Sequence, residues 1–498
     1  MMKNFLLLLF LFLATLVQAQ NVDLKKLDNY FEKALADWGT PGMSVAIVKD
    51  GETVFSKGYG LMEVGLETQP NGNTLYAIAS NSKAFTSYII AQLINEGKLN
   101  WDDKVKKYLP YFELYDPWVS NEVTVKDLLC HRVGLGTFSG DVIWYKSDLT
   151  SEEIIRRLKY LEPAYDFRDG FGYSNVMFIT AGELIKTVTG KTWGQNVQER
   201  ILDPVEMDRT VFSLSKLDAV GNFATPHAFE DGENIPITYT DWEEVGALGG
   251  LISSVNDMAK WMSFMMSSES IAKNQLWKMQ NSYTVNRNDS NDFNMHFSGY
   301  GLGWGLSDYY GRLRVSHTGG YDGMISAVTM IPDEKLGVVV LSNGMNPPTM
   351  AVTYYALNAF LGEEENDWSQ ELLKKKQERK TKDTRVNDRV ESRVEGTAPS
   401  LELEKYAGMY VADIYGNISV KLEDGVLRMY FEHSPELSAT LQHWHYDVWK
   451  IDWDNTHAWF NFGTVKFNMD NNLKITGLEF DVPNDDIFFD ELKPKRSE

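Results

Sequence analysis

Apolar and polar positions follow several different rhythms along this chain. "VDLKKLDNYFEKALADW" repeats its apolar residues at helical spacing, whereas "GMSVAIVKDGETVFSKGYG" reads as two strands that turn near Asp50-Gly51. "YAIASNSKAFTSYII", Tyr76 to Ile90, opens a buried helix that runs to Gly97. "VTVKDLLCHRVGLG" predicts a short helix stopped at Gly134, and "VMFITAGELIKTVTG" a buried helix stopped at Gly190. "VNDMAKWMSFMM" predicts a further helix, with Ser254 and Asp257 as its capping box. Beyond it, "YGLGWGLSDYYGRLRVSHTGGYDGMISAVTMIPDEKLGVVVLSN" alternates strand-like runs with Gly and Asp turns, the pattern of an antiparallel meander. Strands therefore bracket a helical middle, which is the order of an α+β domain rather than of repeated βαβ units.

The rhythm changes near the C-terminus. Residues 363–400 are charged, with apolar positions only near the start, and predict a surface helix leading into a linker. From Leu401 onward the chain is aromatic and alternating, with turns at Asp424-Gly425 and Asn471-Asn472. That predicts a small all-β domain of about eight strands, a lipocalin-like barrel or a sandwich. At the other end, Lys3 precedes an apolar run from Phe5 to Val17 and the small-residue site "VQA", the pattern of a secretory signal peptide cleaved after Ala19. The run is shorter than the roughly 20 residues that span a bilayer, so a soluble periplasmic or secreted product without a stable membrane anchor is expected. The expected organisation is a signal at 1–19, a first domain at 20–362, a linker at 363–400 and an all-β domain at 401–498.

Composition narrows the partners. Across 498 residues the net charge is -22, which repels nucleic acid and anionic lipid surfaces. Cys130 is the only cysteine, so the fold must be stable without an internal disulfide. A small-molecule or peptide substrate is expected, with no cofactor and no metal. The sequence leaves the oligomeric state open.

The candidate chemistry begins in "YAIASNSKAFTSYII". Ser80 and Lys83 are three residues apart and share one helix face, where an amine can act on the hydroxyl, while a serine there also serves as a helix cap. Two further S-x-x-K pairs, Ser213 with Lys216 and Ser270 with Lys273, lie in polar surroundings and read as solvated surface. Downstream follow Tyr173-Ser174-Asn175 and then His317-Thr318-Gly319-Gly320. A second Y-x-N, Tyr415 to Asn417, is out of order in the β region and reads as chance.

S-x-x-K, then Y-x-N, then H-T-G resembles the motif series of the penicillin-recognising serine hydrolases, in the tyrosine version of class C β-lactamases, related esterases and D-stereospecific peptidases. The segments "VTVKDLLCHRVGL", "GALGGLISSVNDMAKW" and "PDEKLGVVVLSN" extend that resemblance over about Leu24 to Leu361. It implies a β-lactamase/transpeptidase-like fold, an antiparallel sheet flanked by helices with a helical subdomain. It also implies that Ser80 is the acylated nucleophile, Lys83 its proton partner and Tyr173 a base or shuttle. Asn175 would hold Lys83 and the substrate amide. The amides of Ser80 and Gly320 would form the oxyanion hole, with His317, Thr318 and Gly319 on the strand that aligns substrate.

The third motif departs from the lysine usual in β-lactamases. A neutral His317 is a weaker attractor of a substrate carboxylate. A permanently anionic Tyr173 would need its pKa lowered by about three units, or roughly 4 kcal/mol, so a Tyr173 and Lys83 pair sharing protons is the favoured arrangement. The expected activity is cleavage of an ester, amide or β-lactam through an acyl-enzyme. A D-aminopeptidase or D-Ala-D-Ala carboxypeptidase is one alternative, and a non-hydrolytic penicillin-binding or sensor module is another. His131 and Cys130 read as structural, because adjacent helix positions diverge by about 100°. His443 and His445 share a strand face but read as barrel wall, and Phe138, Trp144, Tyr300 and Trp304 either line the cleft or pack it.

Overall fold

The computed structural model describes residues 22–267, 270–287 and 295–497. The signal-like run at 1–19 lies outside the described residues. Asp23 caps the first helix, α1 (Leu24–Trp38), and Gly39 closes it in the left-handed conformation. The predicted hairpin follows as β1 (Gly42–Lys49) and β2 (Glu52–Gly60). The later meander supplies β3 (Thr284–Arg287), β4 (Phe297–Tyr300), β5 (Gly305–Tyr309), β6 (Arg312–Tyr321), β7 (Met324–Ile331) and β8 (Leu336–Ser342). These eight form one antiparallel sheet in the order β2-β1-β8-β7-β6-β5-β4-β3, so the chain's first hairpin adds to the last strand of the meander.

Alternation along the central strands explains why the sheet is covered on both faces. Val45 and Ile47 of β1, with Val338 and Val340 of β8, pack under α1 and α5 (Thr349–Leu361), while Ala46, Val48, Val339 and Leu341 face the opposite way. Tyr30 of α1 stacks on Tyr355 of α5 at 3.6 Å. The opposite face carries the helical middle of the chain: α2 (Ser82–Asn95), α3 (Asn175–Thr189) and α4 (Val255–Met266). Helix α2 is buried along most of its length, polar Ser82, Lys83, Thr86 and Ser87 included, and α3 along its first three turns.

Several sequence expectations change here. The helix predicted up to Gly134 covers only Val125–Leu129, because His131 takes a positive φ of 57° and breaks the run. Only half of the predicted capping box forms: Ser254 accepts the Asp257 amide, whereas Asp257 turns away to the amides of Arg209 and Thr210. The charged segment holds two helices rather than one, α6 (Trp368–Lys382) and α7 (Arg385–Glu391). Ser213 and Ser270 are buried, contrary to a solvated reading, but Lys216 and Lys273 are exposed.

The all-β region is a closed barrel: β9 (Gly408–Ala412), β10 (Gly416–Glu423), β11 (Val426–Phe431), β12 (Ser438–His445), β13 (Val448–Trp453), β14 (Thr464–Met469), β15 (Ile475–Asp481) and β16 (Lys495–Arg496). Three of its connections, residues 432–437, 454–463 and 482–494, reach the first domain. His433 and Asp148 join the two across the interface at 2.9 Å, as do Lys146 and Glu436 at 2.7 Å.

Candidate active site

The nucleophile candidate stands in a single turn, Ala79–Asn81, that leads straight into α2. Ala79 occupies the left-handed region at φ 45°, a strained conformation for a residue with a side chain. The turn is tied to β7, where Ser326 accepts from Asn81 Nδ2 at 2.8 Å and donates to the Ile78 carbonyl at 2.7 Å. Strand β6 passes against the same turn at Gly319. A Cβ there would meet the Ile78 carbonyl at 2.2 Å and the Ser80 amide nitrogen at 3.0 Å, so only glycine permits the approach.

Lys83, one helical turn after Ser80, is fully buried and engaged on three sides. Its Nζ lies 3.0 Å from Ser80 Oγ and donates to Asn175 Oδ1 and the Leu248 carbonyl, both at 2.7 Å. Burial lowers its pKa to about 7, against the opposing charge of Asp141. Asn175, the first residue of α3, passes the contact on: its Nδ2 donates to Asp141 Oδ2 at 2.6 Å, and Asp141 Oδ1 accepts from the Trp144 indole at 2.8 Å. Burial pushes the Asp141 carboxyl up to about 8, opposed by those two donors and by Lys83.

Tyr173 completes the cluster. Lys83 Nζ lies 4.9 Å from its ring centre. Its hydroxyl is buried and finds no hydrogen-bond partner of good geometry among the described residues. Burial raises its pKa far above the ordinary phenol range; the nearby Ser80 hydroxyl opposes this, and Asp141 reinforces it. Burial therefore favours the neutral phenol.

His317 is neutral as well, its pKa lowered to about 3 by burial and by Lys83. Its tautomer follows from its neighbours: Nδ1 must donate to the Thr318 carbonyl at 2.6 Å, which leaves Nε2 to accept from Tyr300 at 2.7 Å. Behind both tyrosines lies His131, whose Nδ1 accepts the Ser174 amide at 2.9 Å and whose ring centre is 4.2 Å from that of Tyr173. Ser82 is a structural neighbour, since its hydroxyl accepts the Leu251 amide at 3.2 Å.

Ser80, Tyr173, Asn175, His317, Thr318 and Gly320 open onto one cavity of about 250 Å³, and Lys83 lies behind Ser80 and Asn175. Phe138 and Trp144 line the cavity, whereas Tyr300 acts one step back through His317 and Trp304 is packed in the core. Sequence reasoning did not anticipate Asp141, Trp242 and Leu248, nor Trp459, Asp486 and Ile487, which the barrel contributes. A Cβ on Gly320 would stand 2.7 Å from Trp459 Cη2, so the barrel tryptophan sits directly over the β6 strand. Asn484 shapes the loop that carries Asp486, accepting the amides of Asp486 at 2.9 Å and Ile487 at 2.6 Å. Burial and the neighbouring Asp485 raise the Asp486 pKa to about 6.

Comparison with known proteins finds relatives of both domains. The family model described as Beta-lactamase matches residues 27–362, and a domain of unknown function, DUF3471, matches residues 392–496. The unguisins hydrolase ungD' of Aspergillus campestris is 29% identical over 78% of this chain and 76% of its own length. Protein flp of Staphylococcus aureus strain MW2 is 28% identical over 64% of this chain and 63% of its own. The octameric penicillin-binding protein homologue from Pyrococcus abyssi superposes with a TM-score of 0.63 at 24% identity, covering 93% of this chain and 98% of that one.

Proposed function

Because the chain belongs to the Beta-lactamase family and is a serine hydrolase of that family, we propose that it cleaves an ester or amide bond next to a free amino group, through an acyl-enzyme on Ser80. The charge of the cavity carries this reading. Its walls carry two acids: Asp141, whose pKa is pushed up to about 8 and whose oxygens already meet Asn175 and Trp144, and Asp486, which is left to meet substrate; no cation is among the described lining residues, Lys83 lying behind Ser80 and Asn175. A substrate ammonium would offset the burial of Asp486, whereas a substrate carboxylate would meet a neutral His317. β-Lactam turnover is at most a side activity on this reading.

The geometry supports a defined proton path. A neutral lysine has two N–H bonds, and the fixed carbonyl oxygens of Asn175 and Leu248 take both, so its lone pair is directed at Ser80 Oγ. Lys83 accepts the serine proton as Oγ attacks the substrate carbonyl. The amides of Ser80 and Gly320 stabilise the oxyanion. The neutral Tyr173 hydroxyl relays a proton between Lys83 and the leaving group, after which water releases the acyl group by the reverse path. The apolar run Phe5–Val17 implies that this occurs after export.

A fluorophosphonate should label Ser80 of the full chain, as read by mass spectrometry. Alanine nitroanilides with a free amine should then be hydrolysed faster than their N-acetyl forms, and paired D- and L-substrates will report the handedness of the site. Equal rates with and without the amine, or a preference for nitrocefin, would overturn the substrate assignment.

A further inference from the structure

We infer that the barrel takes part in catalysis: Glu491 holds the loop at Ser139 and Gly140 so that Asp141 orients Asn175 against Lys83, making Asp141 and Glu491 positioning residues of the proton-transfer site. The inference rests on the reading that Lys83 serves Ser80. Glu491, just beyond the Asp486 loop, accepts Ser139 Oγ at 2.6 Å and the Gly140 amide at 2.8 Å. Both donors immediately precede Asp141. Gly140 has φ 85°, and a Cβ on it would lie 2.7 Å from Leu161 Cδ1, so the loop is confined on the side away from the barrel as well. The short helix Asp141–Trp144 has no side-chain cap of its own, and the Glu491 carboxylate fixes the amide of Gly140, its N-cap residue.

From Asp141 inward, each contact admits one arrangement. Both carboxylate oxygens accept, one from Trp144 and one from Asn175. Asn175 must therefore present Nδ2 to Asp141 and Oδ1 to Lys83; reversed, its amide would set N–H against N–H at the lysine. Three hydrogen-bonded steps thus join the barrel to the catalytic amine. The groups that face Lys83 are Ser80, Tyr173, Asn175, the Leu248 carbonyl, Asp141, His131 and His317, and those that face Asp141 are Trp144, Tyr173, Asn175, Lys83 and Asp486.

The test is the pH dependence of Ser80 acylation in the full chain, with a fluorophosphonate and nitrophenyl acetate as probes. Asp141→Asn removes the acceptor that fixes Asn175 and frees Asn175 Oδ1 to leave the lysine N–H, so acylation should slow about 100-fold and its acid limb should move to lower pH, because the protonated amine loses an acceptor, while KM for nitrophenyl acetate is retained. Glu491→Gln and Ser139→Ala should each slow acylation about tenfold and shift the limb the same way. Glu162→Gln, which breaks the interface pair with Lys493 and touches no part of this path, should leave both unchanged. If Glu491→Gln fails to fold, Ser139→Ala decides. Folded variants with wild-type rate and acid limb, or with a loss confined to KM, would overturn the inference. A wild-type chain that takes no label on Ser80 would instead overturn the proposed function beneath it.

Discussion

Two regions meet over Ser80, and they are built by opposite means. The head of α2 is a product of the core: Lys83 is sealed between buried helices, and the turn before it is pinned to β7. The barrel's contribution comes from connections shaped by polar contacts, with Asn484 folding one loop and Glu491 anchoring its end. The first region can hold a neutral amine because burial suppresses its charge. The second can change its lining residues without disturbing a packed interior. The helix head thus supplies Ser80 and Lys83, while the barrel adds lining residues and a hold on the loop before Asp141.

The sharpest way to break that division is at the helix head. Ser80→Ala should lower turnover by about 10⁴-fold or more and abolish fluorophosphonate labelling. Lys83→Arg should cost about 10³-fold in kcat, since a guanidinium stays protonated and cannot act as base. The barrel side should answer differently. Asp486→Asn should raise KM about tenfold for substrates with a free amine, the worth of one charged hydrogen bond, and leave neutral esters unaffected. pH separates the regions once more. Acylation of a neutral ester should rise through about pH 7 as Lys83 loses its proton, because the base acts in its neutral form. Binding of amine substrates should weaken as pH falls through about 6, where Asp486 takes up a proton. The smallest effect is expected at Ser82→Ala: a loss of about 1 kcal/mol of stability in denaturant titration, with kcat unchanged.

What could be read in the sequence follows the same boundary. Ser80 and Lys83 were legible because their relation is local, fixed by one helical turn, and Tyr173, Asn175 and the His317 strand because their short patterns resemble a known series. The hairpin at Asp50-Gly51, the meander and the eight-stranded barrel were legible from alternation and turn residues. Asp141 was not, although "SGDVIW" sets a lone acid three residues before a tryptophan; its partner Asn175 is 34 positions away. Asp486 and Glu491 had still less signal, because an acid in a polar turn looks solvated until the fold brings another domain against it. The early end of the Val125–Leu129 helix was hidden as well, since nothing local marks a histidine for a positive φ.

Ala79 has a consequence for adaptation. Its left-handed backbone stands one residue before the nucleophile, and glycine there would relieve about 1 kcal/mol of strain. Selection for heat tolerance alone should favour that exchange, while selection for turnover should oppose it, because a freer turn would let Ser80 wander from its lysine. Position 79 is thus where endurance and speed compete within this enzyme, and a library screened for each trait in turn would part ways at that residue.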